Sequence, residues 1–200
     1  MAGVNWKMTE TSPICYVIAG PNGAGKTTFA MWYLPRVARC VEFVNADSIA
    51  RGLSPLNEAA VQLEAGRLFL TRLHELQGGK RSLAFETTLS GRGHVKVLLG
   101  FRDAGYRIEL NYLWIPSAEF SAERVASRVA NGGHDIPAEA IERRYGKSLS
   151  NLGNLYMGLA DYVAVWDNSA ERPRRIYERD EDGETVLDEE TWTRITECGA

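Results

Sequence analysis

The sequence predicts an α/β domain whose mainly parallel sheet is covered by helices on both faces. Three observations predict it. Apolar runs of strand length alternate with stretches of helical periodicity along the chain. The first run, Ile14 to Ala19 (ICYVIA), is continuously apolar, as a strand buried on both faces must be. No repeat, low-complexity tract or linker divides the 200 residues, a length that fits one core.

The elements follow in order. A polar extension, residues 1–13, precedes the first strand, and residues 14–200 read as a single domain. A glycine-rich turn leads into a helix over residues 26–34, which Pro35 limits. Residues 41–44 form the second strand. Pro55 opens a helix that carries Val61, Leu63, Leu68, Phe69, Leu70 and Leu73 at helical spacing to about His74, and Gly78-Gly79 closes the segment. Residues 83–85 are the third strand, 95–104 a helix capped by Gly105, and 107–115 the fourth strand, stopped by Pro116. Two helical segments, 117–130 and 137–159, flank an Asn131-Gly132-Gly133 turn. Residues 162–166 are the fifth strand and 174–179 a sixth. Asp182-Gly183 signals a hairpin, and 189–197 a last helix.

Composition narrows the class. A net charge of −3 gives the whole molecule no attraction to nucleic acid or anionic membrane. The start of the chain lacks a signal peptide's apolar core, and no apolar run is long enough to cross a bilayer. Cys15, Cys40 and Cys198 are odd in number and far apart, which argues against a disulfide framework and for a reducing cytoplasm. The three histidines are scattered without HExxH or CxxC, so no zinc-type site is expected; His134-Asp135 reads as a hinge or lid contact. Arginine outnumbers lysine eighteen to five, a bias that suits bidentate grip on phosphate oxygens.

Gly20-Pro21-Asn22-Gly23-Ala24-Gly25-Lys26-Thr27, followed by Thr28, satisfies G-x-x-x-x-G-K-[ST] between a predicted strand and a predicted helix. Glycines let successive backbone N–H groups wrap phosphate oxygens, and the following helix aims its positive dipole at the anion. Lys26 would reach the β- and γ-phosphates of ATP, and the Thr27 hydroxyl would ligate Mg2+.

Three nucleotide-using classes compete. Leu89-Ser90-Gly91-Arg92-Gly93 has the look of a transporter-ATPase signature, but the next strand ends in Pro116-Ser117 where that class needs Asp-Glu. No NKxD motif supports a GTP switch. A small-molecule kinase has positive support. Asp47 follows the second strand, where strand carboxyl ends face the ligand crevice; it would accept a hydroxyl proton, or cap the helix starting at Ser48. Glu86 and Thr88 follow the third strand and would bind a polar substrate, Glu86 alternatively holding magnesium through water. Arg124, Arg128, Arg143 and Arg144 sit on the helical pair, where cations meet the charge of a transferred phosphoryl group. Trp114, Tyr162 and Trp166 lie in apolar strands and read as core or wall. The rivals are an ATP-binding or ATPase interaction protein without kinase activity, and a kinase of an unrelated hydroxyl compound such as an antibiotic.

The chain resembles the zeta-toxin family of P-loop kinases, in its short stand-alone bacterial form, from about Ile14 to Ser169. The likeness rests on GPNGAGKTT, VNADSIARGLSP, FETTLSG, RVASRVANGGHDIPAEAIERRYGKSLSNL and ADYVAVWDNS. It implies a three-layer P-loop kinase-type domain with strand order 2-3-1-4-5 and a helical lid over about residues 117–152. It implies phosphorylation of the sugar 3′-hydroxyl of UDP-N-acetylglucosamine. Lys26 and Thr27 would hold ATP and magnesium, Asp47 would be the catalytic aspartate, and Glu86 and Thr88 would hold the sugar nucleotide. Arg128 would be one lid arginine, with Arg144, or Arg143 in a shifted register, as the second. Ser90 departs from the family, whose characterised toxins carry arginine there and are longer. The resemblance leaves open a separate small antitoxin protein as partner.

Overall fold

In the computed structural model, which describes residues 12–130 and 136–199, seven strands form one sheet in the order β2-β3-β1-β4-β5-β6-β7. β1 (Ile14–Ala19) lies at its centre, parallel to β3 (Leu83–Thr87) on one side and to β4 (Arg107–Trp114) on the other. β2 (Phe43–Val44) and β5 (Tyr162–Asp167) extend the parallel part. β6 (Arg174–Arg179) and β7 (Glu184–Val186) add an antiparallel hairpin, turned at Gly183 where the backbone adopts φ +139°. The parallel order is 2-3-1-4-5, as expected; β7, the return strand of the hairpin that Asp182-Gly183 signals, brings the sheet to seven strands where five or six were expected.

Alternation along β1 builds the three layers. Cys15, Val17 and Ala19 face one layer, against Phe69 and Leu73 of α3 (Gln62–Gly78) and Leu98 and Phe101 of α4 (Gly93–Asp103). Tyr16 and Ile18 face the other, against Phe29, Ala30 and Tyr33 of α1 (Lys26–Tyr33). With both faces covered, every second residue is apolar for a different neighbour, which makes the run continuous. Each of the larger side chains among them, such as Val17, Ile18 and Phe29, contributes about 1.5–3 kcal/mol by leaving water.

Several boundaries differ from expectation. Pro35 does not stop the chain's turning: a π-type turn, Leu34–Ala38, begins with the proline near its start, where a missing N–H costs nothing. β2 is only two residues long because α2 (Ala46–Leu53) starts directly after Asn45. The helix expected from Pro55 is a 3-10 turn, Glu58–Val61, followed by α3. Leu63, Leu68 and Leu70 are exposed, since α3 buries only the narrow stripe Ala65, Phe69, Leu73 and Leu76. α5 (Ala118–Ala130) and α6 (Ala138–Asn151) form the predicted pair; the turn between them, with His134 and Asp135, lies outside the described residues. α7 (Glu189–Gly199) closes the domain by stacking Trp192 on Tyr177, ring centroids 4.0 Å apart. Among the described residues no helix is long and apolar enough to cross a membrane.

Candidate active site

The carboxyl ends of β1 to β5 lie along one edge, and every chemically notable segment leaves the sheet there. The glycine-rich loop follows β1, Asn45 and Asp47 follow β2, and Thr88 and Ser90 follow β3. Ser121 and Arg124 follow β4, and Asn168 follows β5. This is the crevice in which open α/β sheets bind ligands.

The loop is wedged into its neighbours. Gly20 adopts φ +141°, and a Cβ there would fall inside the Leu113 carbonyl oxygen at the end of β4. Gly25, at φ +78°, starts α1, and a Cβ would meet the Asn168 amide nitrogen at 2.6 Å. That amide donates to the Ala24 carbonyl at 2.7 Å, and the Ser121 hydroxyl donates to the Asn22 carbonyl at 2.5 Å. Pro21 supplies a carbonyl that receives both the Ala24 N–H and the Lys26 ammonium. The Asn22 side-chain oxygen is buried with no hydrogen-bond partner among the described residues.

Glu86 is the hub beside this loop. Its Oε2 accepts from the Thr27 hydroxyl at 2.7 Å and from Asn45 Nδ2 at 2.8 Å. Its Oε1 stands 3.8 Å from Lys26 Nζ, which donates to Pro21 at 2.9 Å. Burial pushes the Lys26 pKa down, while Glu86 and Asp47 hold the ammonium charged against that trend and Arg128 works with it. Glu86 thus touches the loop's lysine and threonine directly.

The helix cap after β2 is Asn45, whose Oδ1 accepts the Ser48 N–H at 3.0 Å. Asp47 is not the cap; it stands exposed in the first turn of α2 and lines the cleft. Thr88 and Ser90 share a hydroxyl–hydroxyl bond of 2.8 Å. Their neighbour His94 stacks on Phe85, meets Phe69 edge-on and bonds Thr87 at 3.2 Å; burial lowers its pKa below the usual imidazole value.

Two cavities flank the loop. The first, about 740 Å³, is lined by Asn22, Lys26, Thr27, Asp47, Glu86 and Thr88, with Arg128 and Arg144 from the helical pair. The second, about 770 Å³, is lined by Gly25, Thr28, Trp32, Arg124, Asn168 and Arg172. Of the four candidate arginines, Arg128 and Arg144 line the first cavity. Arg143 is exposed and does not. Arg124 donates to the carbonyls of Asn168 (2.8 Å) and Ser169 (3.2 Å) and lies over the Phe120 ring, so it clamps the segment after β5. Trp114 is buried, and Trp166 packs against Phe29 and Tyr33, as wall residues do. Sequence reasoning missed Asn45, Ser121, His94 and Asn168. Only Asn45 left a local signal, an Asn three residues before a serine at a helix start.

Comparison with known proteins bears on the fold and the family. The complex of AvrRxo1-ORF1 with AvrRxo1-ORF2 superposes with a TM-score of 0.76 at 18% identity, over 94% of this chain and 64% of that one. An ATP-containing structure of the same pair gives 0.73 at 17% identity, with the same coverage. The chain therefore spans less than two thirds of the AvrRxo1-ORF1 chain. A structure from the PezAT chromosomal toxin–antitoxin system of Streptococcus pneumoniae gives 0.66 at 16% identity, over 87% of this chain and 75% of that one. These likenesses establish the P-loop kinase-type α/β fold. An uncharacterized protein of Haemophilus influenzae is 29% identical over 126 residues, 63% of this chain and 88% of that protein. The family model described as AAA domain (AAA_33) matches residues 16–147, well over half of the sequence, and the chain belongs to that family.

Proposed function

We propose that the protein is an ATP-dependent kinase that transfers the γ-phosphoryl group to a hydroxyl of a small molecule. One observation carries this reading. Consecutive loop residues open onto opposite cavities: Gly25 and Thr28 onto one, Lys26 and Thr27 onto the other. A nucleotide whose phosphates lie in the loop would place its base beside Trp32 and Arg124. Its terminal phosphate would then face the cavity that holds Asp47. An ATPase switch has no need of a second chamber with a carboxylate at its mouth.

The chemistry balances as follows. The acceptor oxygen forms a bond to the γ-phosphorus, the bond to the β–γ bridging oxygen breaks, and ADP leaves with that electron pair. The acceptor's proton passes to the Asp47 carboxylate, which is free of capping duty. Lys26, Arg128 and Arg144 line this cavity and would meet the charge that spreads over the transferred group in the transition state. The Thr27 hydroxyl and Glu86 carboxylate are hard oxygen donors 2.7 Å apart and fit magnesium, which would neutralise phosphate charge there. Glu86 is then a phosphate-side residue, and Thr88 is left to the acceptor. The resemblance offers UDP-N-acetylglucosamine as that acceptor. The companions in the AvrRxo1-ORF1 and PezAT structures suggest a small protein partner.

Lys26→Ala tests the reading. With labelled ATP, magnesium and a panel of hydroxyl compounds, the native chain is expected to yield a labelled small product and the variant none, with the fold retained by circular dichroism. Equal turnover by the variant, or phosphate release as the native chain's sole product, refutes it.

A further inference from the structure

A phosphate loop works only if its backbone N–H groups face the anion, and glycine alone does not ensure that. A trans peptide unit is planar, with its C=O and N–H pointing in opposite directions. Where a glycine follows, the unit can turn over at little cost, because glycine accepts φ of either sign; β-turn types I and II differ by such a flip. One orientation offers an N–H to a phosphate oxygen, and the other offers a carbonyl that repels it. Inside the loop two peptide units precede a glycine, Asn22–Gly23 and Ala24–Gly25. Both glycines stand at positive φ, +71° and +78°.

Each of these two units is tied from outside by a side chain of another element. The Ser121 hydroxyl, on α5, donates to the Asn22 carbonyl at 2.5 Å, and the Asn168 amide, after β5, donates to the Ala24 carbonyl at 2.7 Å. The Gly23 and Gly25 N–H groups are thereby turned the other way, and neither meets an acceptor among the described residues. α1 continues the set, since it starts at Lys26 with no side-chain cap and so leaves its first amides for a ligand. The Pro21 carbonyl, by contrast, is held from within the loop by Lys26 at 2.9 Å, a cation that bound phosphates would draw away. Ser121 is fully buried and lines neither cavity, so it can act on a nucleotide only through the loop. Asn168 is steadied in turn by Arg124, which donates to its carbonyl at 2.8 Å.

We infer that Ser121 and Asn168 are positioning residues of the phosphate loop, selecting the state in which the Gly23 and Gly25 N–H groups face the phosphates. The inference rests on the kinase reading above for what the loop binds.

Inorganic tripolyphosphate is the probe, because it has the phosphate chain of ATP and no base. Its affinity and that of ATP are measured by calorimetric titration with magnesium, on the native full chain and on Ser121→Ala and Asn168→Ala. Tyr106→Phe is the control: it removes a buried hydroxyl that donates to the Leu76 carbonyl at 3.1 Å, just before β4 and so at the opposite end of the strands. Ser121→Ala and Asn168→Ala should each weaken tripolyphosphate and ATP by the same factor, about 3- to 10-fold, the scale of one hydrogen bond. Tyr106→Phe should keep native affinity for both while melting at a lower temperature. Circular dichroism verifies the fold of each variant, and either loop variant carries the test if the other does not fold. Native tripolyphosphate affinity in the folded loop variants overturns the inference and leaves the kinase reading standing. So does an Asn168→Ala chain that loses affinity for ATP alone, which assigns its amide to the base. An equal loss in Tyr106→Phe, or a native chain that binds ATP and not tripolyphosphate, overturns it too. A native chain that binds neither ligand overturns both readings.

Discussion

Replacing Glu86 by glutamine probes the centre of the site, because its carboxylate does two things at once. In the ligand-free protein it offsets the buried Lys26 ammonium from 3.8 Å and ties Thr27 and Asn45 together. At that distance the gross attraction is about 4 kcal/mol at an effective dielectric near 20. Water in the open cleft screens part of it, and glutamine keeps one acceptor oxygen. The net loss of stability is therefore about 1–3 kcal/mol. The same carboxylate repels a triphosphate. Without magnesium, Glu86→Gln should bind ATP about 5- to 100-fold more tightly, since each 1.4 kcal/mol is tenfold. With magnesium, transfer should fall by about 10²–10³, the scale for losing one electrostatic element of a transition-state site. Urea unfolding, calorimetric titration with and without EDTA, and steady-state turnover read the three effects. A variant with native stability and native magnesium-free affinity refutes the claim that Glu86 balances Lys26.

Asp47→Asn should lower kcat by about 10²–10⁴ while the KM for ATP stays within about threefold; if both change alike in initial-rate kinetics, Asp47 serves the nucleotide. Gly25→Ala forces a side chain into left-handed backbone, about 1–2 kcal/mol, and displaces the Asn168 amide from Ala24, about 1 kcal/mol more. A denaturant midpoint equal to the native one contradicts it. His94 carries a lowered pKa in the folded chain, so the unfolded chain binds more protons below its ordinary value of about 6.5. Its contribution to stability is present above that pH and is lost as pH falls through the folded value. Melting temperatures of His94→Gln should therefore decline less steeply with acid than those of the native chain, and parallel curves would exclude the effect.

What the sequence disclosed was local, and what it concealed was tertiary. The phosphate loop is a contiguous motif, and β1 announces its two buried faces by a continuous apolar run; both were legible. The cap after β2 was read too late in the chain: Asp47 was weighed as the cap of a helix starting at Ser48, but α2 starts at Ala46 and Asn45 caps it. Glu86 was open in the sequence between a substrate ligand and a magnesium ligand, and the β1–β3 pairing, which only the resemblance implied, puts it against Thr27. Leu63, Leu68 and Leu70 followed a helical period, yet α3 turns a different stripe to the core. The residues alone identified the arginines as a cluster, and the resemblance singled out Arg128 and Arg144, the two that line the cavity. Arg124 is engaged by two backbone carbonyls, and Arg143 points to solvent beside Arg144.

The same anchoring bears on how the cations reach the transferred group. A lid over residues 117–152 would have to release Ser121 from Asn22 and Arg124 from Asn168 and Ser169. It would also have to free Tyr145 from the Ile115 carbonyl, Ser148 from the buried Tyr112 hydroxyl and Asn151 from the Leu89 carbonyl. At about 1 kcal/mol each, and more where a buried group is left unpaired, that cost exceeds what a small rearrangement returns. Both ends of the helical pair are thus fixed to the sheet and the loop. Val125, Ile136 and Ile141 bind the rest into a cluster of its own. Arg128 stands one helical turn beyond Arg124, and Arg144 is next to Tyr145. Each arginine is within a turn of an anchor but lies on the outer part of the pair, between Arg124 and Tyr145. A lid that closes over bound ATP would therefore leave its base on the sheet and the loop and bend its outer part, carrying Arg128 and Arg144 toward the transferred group.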